Sequence, residues 1–270
     1  MKEEGLEFHF SSYLCAEFAL IDTTNNTNST LMENQEFNYQ NLSANQQLQA
    51  SEAFPVLMRK VYVWMTLALA ITGMTAYHVA TSETLLNAIF TSKTLFYGLF
   101  IAELALVVGV SAAINRLSLL TATLMFILYS VINGATMSVI FLVYDASSIA
   151  TVFFITAGTF GTMAAIGYTT KKDLTSAGRI LFMALVGLVI ATLVNLFLKN
   201  PMITMILSYI GVIVFVGLTA WDSQKIKQML LQAPEVNEGT QKVALLGALT
   251  LYLDFVNLFL YLLRIFGRRR

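Results

Sequence analysis

The residues best placed to do chemistry are three acids in or beside long apolar stretches: Glu103, Asp222 and Asp254. An ionised carboxylate costs about 3 kcal/mol at a bilayer centre, so such a group normally faces a cavity or a partner. Asp254 is the clearest case, because residues 244–266 hold no other acid. Its alternative reading is a hydrogen bond that packs helices. Asp222 follows Thr219-Ala220-Trp221 near the inner end of its stretch and reads equally well as an interfacial residue. The run Asp222-Ser223-Gln224-Lys225-Ile226-Lys227 predicts a continuing helix, with both lysines reaching the headgroups. If the last stretch effectively starts near Ala248, Asp254 lies about two turns deep, and both acids approach the same end of adjacent antiparallel helices. Two carboxylates in contact resist ionising together and hold one proton between them. Such a pair is a proton-sensitive latch or a general acid/base pair, and a nearby cation favours its doubly charged form. Arg116 is the candidate cation by topology; its plainer reading is a loop charge. Glu103 either lines the same cavity or is a buried protonated acid bonded to Asn133 or a hydroxyl.

The elements that must position these residues are membrane spans. Of the 270 residues, 57% are hydrophobic and 12% charged, with a mean hydropathy of +0.69. A soluble globule could not hide so much apolar surface, whereas a bilayer accepts it. Seven stretches reach the roughly 20 residues needed to cross: Val61–Val79, Thr94–Ile114, Ser118–Val143, Ile149–Tyr168, Ile180–Leu198, Met202–Asp222 and Val243–Phe266. The expected fold is therefore all-α and polytopic, a bundle of seven transmembrane helices over residues 53–270. Residues 1–52 are polar and predicted to form a largely disordered tail. The alternation of a closed barrel is absent, and no internal repeat suggests an inverted-repeat transporter. A single cysteine, Cys15, excludes an internal disulfide, and with only His9 and His78 a histidine-based metal centre is not expected.

Charge sets the expected orientation. The tail carries eight of the sixteen acids and one base, Lys2, which leaves a net charge of +7 beyond it. With the N-terminus in the cytosol, the inner side holds Arg59, Lys60, Arg116, Lys171, Lys172, Arg179, Lys225, Lys227 and Lys242, and the outer loops only Lys93 and Lys199. This follows the positive-inside rule and points to topology control rather than nucleic-acid binding. Asn25, Asn28 and Asn41 match glycosylation tripeptides by chance, since the tail is placed in the cytosol. Arg268, Arg269 and Arg270 break the rule. Either late charges fail to override an established topology, which is preferred, or the last segment is re-entrant.

The runs Thr170-Lys171-Lys172-Asp173-Leu174, Trp221-Asp222-Ser223-Gln224-Lys225-Ile226-Lys227 and Leu251-Tyr252-Leu253-Asp254-Phe255-Val256-Asn257-Leu258-Phe259, followed by Leu263-Arg264-Ile265-Phe266-Gly267, resemble signatures of the transmembrane Bax-inhibitor-motif family. The likeness covers about 55–267. The resemblance implies a bundle with the last helix central and a pH-responsive calcium leak, located in the inner membrane if the source is bacterial. It implies that Asp222 and Asp254 form the pH-sensing pair and contact calcium, that Arg116 is the latch, and, less closely matched, that Glu103 is a cavity acid. No cofactor is implied beyond calcium as the permeant ion. The partners implied are the lipid bilayer, calcium and protons, with a membrane-bound AAA protease as a further one. The strongest rival function is a non-transporting regulator of such a protease or of another membrane protein.

No enzymatic activity is expected. An intramembrane aspartyl protease usually carries Gly-x-Gly-Asp and a Pro-Ala-Leu segment, but here Leu251-Tyr252-Leu253 precedes Asp254 and no proline follows Pro234. A retinal protein needs a lysine in the last span, and residues 243–266 contain none.

Overall fold

The computed structural model describes residues 44–270 apart from Pro234, together with Ala16. Cys15, His9, the three tripeptides and most of the polar tail lie outside the described residues. Nine helices run through the described part: α1 Ala44–Thr81, α2 Glu83–Thr91, α3 Lys93–Ala113, α4 Leu119–Met137, α5 Val139–Val143, α6 Ala146–Thr169, α7 Thr175–Leu198, α8 Pro201–Leu231 and α9 Glu238–Phe266. Six apolar helical stretches are long enough to cross a membrane, and Tyr97–Ala113 is a shorter one. The protein is all-α and polytopic.

Local chemistry explains most boundaries. Ser82, Ser92 and Ser118 cap α2, α3 and α4 through their side-chain oxygens. α7 ends where Lys199 adopts a left-handed φ of 51°. Asn200 then caps α8, with Pro201 in its first turn. Asn237 and Thr240 close a reciprocal capping box at the start of α9.

Three departures from the sequence reading matter. α1 begins at Ala44, inside the predicted tail, because residues 44–53 are rich in the helix formers Ala, Gln, Leu and Glu. The predicted span Ser118–Val143 breaks at Ser138, whose hydroxyl donates to the Ala135 carbonyl at 2.7 Å and competes with the helix ladder. α8 runs nine residues past Asp222, so the connection predicted over 223–242 shrinks to six residues between α8 and α9.

The last helix is the core. In its apolar stretch 89% of residues are buried, against 22–61% in the other long spans. Its run from Ala244 to Leu263 is apolar around nearly the whole circumference, and a helix with no polar face is stable only when surrounded. It packs against α1, α4, α6 and α8.

Hydrogen bonds sort the connections into two ends. At one end the Leu119 amide donates to the Glu238 carboxylate (2.9 Å), Lys60 donates to Gln241, and Lys227 donates to the Tyr168 carbonyl (2.7 Å). At the other end the Asp145 amide donates to the Arg268 carbonyl and the Arg270 amide to the Val143 carbonyl, each at 3.0 Å. α9 therefore runs the full length of the bundle, about 43 Å at 1.5 Å per residue. A re-entrant last segment does not fit this path.

Candidate functional site

α8 and α9 form the most extensive helix pair in the fold. Two contacts set their antiparallel register. The rings of Phe215 and Tyr261 lie 5.8 Å apart, and Ile226 packs against the backbone at Gly247. Counting seven residues from Phe215 along α8 gives Asp222, and counting seven back from Tyr261 along α9 gives Asp254. Seven residues is close to two helical turns, so each aspartate leaves the same face of its helix as the ring above it. Asp222 and Asp254 therefore lie on facing sides of the pair, within about one helical turn of each other along it. Both are buried, at 2% and 0% exposure.

α8 continues as helix beyond Asp222, as the run to Lys227 predicts, for nine residues or about 14 Å. Asp254 lies sixteen residues after the start of α9, near the middle of that helix.

Neighbouring helices close tightly over Asp222. A Cβ at Gly167 of α6 would collide with the Ala220 carbonyl of α8, and one at Gly178 of α7 with the Trp221 ring. Only glycine permits these approaches, and they hold the backbone on either side of Asp222. Past the aspartate, Gln224 accepts from the Leu174 amide (2.8 Å) and donates to the Lys172 carbonyl (2.7 Å). Together with the Lys227–Tyr168 bond, this makes a collar between α8 and the α6–α7 connection.

Lys225 is the cation that acts electrostatically on Asp222, one turn away on the same helix. Its ammonium lies 5.1 Å from the centre of the Trp221 ring, so it is half-buried against the protein. Arg116 is exposed at the end of the bundle that carries Glu238, with no ion pair or hydrogen bond of its side chain among the described residues. Asp222 Oδ2 is buried without a hydrogen bond. An acceptor in that state is costly.

Glu103 belongs to a different cluster. Its Oε1 accepts from the Thr136 hydroxyl at 2.6 Å. Nearby, Thr72 bonds Tyr252 at 2.8 Å and donates to the Ser130 carbonyl at 3.0 Å, while Asn133 donates to Tyr129. Of the two readings left open for Glu103, bonding to a hydroxyl is the one the geometry matches. Sequence reasoning did not single out Gln224 as a tie or Tyr252 as a network member. The signal for Gln224 was present, since it sits inside the run that starts at Asp222.

Similarity to known proteins agrees with these signatures. Residues 55–270 match the family model described as inhibitor of apoptosis-promoting Bax1. This chain belongs to that Bax inhibitor family. It is 52% identical over 214 residues to the inner membrane protein YbhL of Escherichia coli strain K12, covering 79% of this chain and 92% of that one. Similarity extends to RP147, an uncharacterised protein of Rickettsia prowazekii, at 43% identity over 215 residues, covering 79% of this chain and 89% of that one. A protein of Borreliella burgdorferi is 42% identical over 213 residues, with 79% and 92% covered. In this member of the Bax inhibitor family, the matched region takes in both aspartates and all of the spans except the first three residues of Glu52–Thr81.

Proposed function

We propose that this protein is a pH-sensitive calcium leak of the inner membrane, crossing seven times with its N-terminus in the cytosol. The observation that carries the reading is the burial of Asp222 and Asp254 on the two paired helices α8 and α9. The shorter helix Tyr97–Ala113 counts as the seventh crossing. The nine cations gathered at the collar end favour that end as cytosolic, and the E. coli relative's printed name supports the inner membrane.

In the closed state the aspartates are negative and pair with Lys225, while the Gln224 collar seals the cytosolic mouth. Acidification adds protons to the carboxylates and removes the charge that Lys225 answers. α8 is then released from its position, and the collar opens. Arg116, exposed at that mouth, acts on arriving ions and stands ready as the latch in a state where it swings inward. Calcium is the substrate of this pathway, and carboxylate oxygens suit so hard a cation. Among the described residues no group of three or more histidines, cysteines or acids gathers as a metal cage. Two carboxylates would hold calcium briefly, as a leak requires. The role is not enzymatic.

Calcium flux into proteoliposomes, titrated against external pH, tests this. The purified protein alone should pass calcium faster as pH falls, and Asp254→Asn should abolish the pH response. The family description, an inhibitor of another protein, favours one rival: a regulator that binds a membrane-bound AAA protease or another membrane protein without transport. Absence of flux from the purified chain, with a membrane protein partner co-purifying, would establish that rival instead.

A further inference from the structure

An apolar groove of about 280 Å³ opens beside α9, its floor beginning one residue beyond Asp254. Its floor is Phe255, Val256 and Phe259 of α9, and its walls are α1 around Gly73 and α6 from Ala146 to Phe154. The floor is buried, whereas Gly73, Ala150 and Phe154 are exposed, so the groove opens sideways between α1 and α6. The opening lies within the membrane-spanning stretches Glu52–Thr81 and Ala146–Thr169. It faces hydrocarbon, and its walls are almost wholly apolar.

The rim is of opposite character. Ala146, at the upper end of the groove, directly follows Asp145, to which the C-terminal segment is tied. The Asp145 amide donates to the Arg268 carbonyl, the Arg268 amide donates to the Ser148 hydroxyl at 2.9 Å, and Arg270 pairs with the Asp145 carboxylate at 3.3 Å. This strap sets Arg268, Arg269 and Arg270, all exposed, beside one acid at the groove mouth. An apolar slot about 12 Å long, spanning eight rises of 1.5 Å along the nine residues of α6 from Ala146 to Phe154, ends under a cluster of guanidinium groups at the headgroup level.

We propose that this groove and strap form a binding site for one anionic phospholipid, with an acyl chain along Phe255 and Phe259 and its phosphate on the arginine strap. Charge complementarity selects this occupant. A second copy of the chain would cover the phenylalanines but would give the arginines no matching acidic face at the mouth, where Asp145 is already paired. Guanidinium groups bind phosphate through paired N–H donors. The strap also explains why three arginines are held at the end of the bundle that the positive-inside rule leaves poor in cations.

The test is native mass spectrometry of the full chain released from nanodiscs made with equal phosphatidylglycerol and phosphatidylcholine. The expected result is one retained phospholipid, with phosphatidylglycerol preferred. Arg268→Ser should reduce that preference about fivefold, the equivalent of about 1 kcal/mol per basic residue near a lipid surface. Gly73→Phe should abolish retention altogether. A Cβ at Gly73 meets nothing within 4 Å, so the ring enters the groove without disturbing the helix, and an unchanged thermal midpoint checks that the variant folds. Equal retention of the two lipids, retention that survives Gly73→Phe, or a dimer in place of bound lipid that Gly73→Phe dissolves would each overturn the proposal.

Discussion

Asp222 and Asp254 stand two helical turns to the collar side of the Phe215–Tyr261 ring contact, one on each helix of an antiparallel pair, and both are buried. The register brings them within about a turn of each other, so a shift of α8 along α9 would change their separation. The same helix carries Gln224, two residues further on, which ties α8 to the α6–α7 connection. Under the proposed gating, a change of charge at Asp222 would act on the closure of that end of the bundle.

Gln224→Leu should loosen that end. It leaves the Leu174 amide and the Lys172 carbonyl without their partner, at a cost of about 1 to 2 kcal/mol in stability. Calcium flux at neutral pH should rise above that of the parent, with a modest fall in thermal midpoint. Unchanged neutral flux would detach the collar from gating.

Glu103 should prove structural. Thr136→Val removes the hydroxyl that donates to its carboxyl group, so stability in detergent should drop by about 1 to 3 kcal/mol. The pH profile of flux should keep its midpoint. A shifted midpoint would place Glu103 in the proton-sensing machinery.

Asp173 supplies a control outside the spans. The Thr175 hydroxyl and amide both donate to its carboxylate and hold it below the usual carboxylate range. A lowered folded-state value contributes stability above the ordinary carboxylate range, and that contribution is lost only as pH falls through the lowered value. Its titration therefore lies well below neutrality, and Asp173→Ala should leave the flux response to mild acidification where it was. Movement of that response would show that a surface acid sets it.

The apolar stretches were legible in the sequence because they are nearly free of charge; six became helices long enough to cross a membrane, while the predicted span Thr94–Ile114 is matched by the shorter apolar helix Tyr97–Ala113. The central last helix was expected from the family resemblance, and its run from Ala244 to Leu263 is indeed apolar around nearly the whole circumference. What the pattern could not reveal was depth. The run beyond Asp222 read as helix emerging toward the headgroups, yet Ser223, Gln224 and Ile226 are buried because α6, α7 and α9 close over them. Arg116 looked near the acids by chain order, but it projects from the end of the bundle into the open. Lys225, read as a lysine reaching outward to headgroups, lies against Trp221 and acts on Asp222. The break at Ser138 carries no glycine or proline to announce it.

The most direct test of the central claim is a double-mutant cycle on the flux–pH profile in proteoliposomes, comparing Asp222→Asn, Asp254→Asn and the pair together. If the two carboxylates act as one unit, each single change removes the pH response and the double variant behaves like either single one. If the two effects simply add, or if either single variant keeps the parent's response, the aspartates work independently and the proposed latch is wrong.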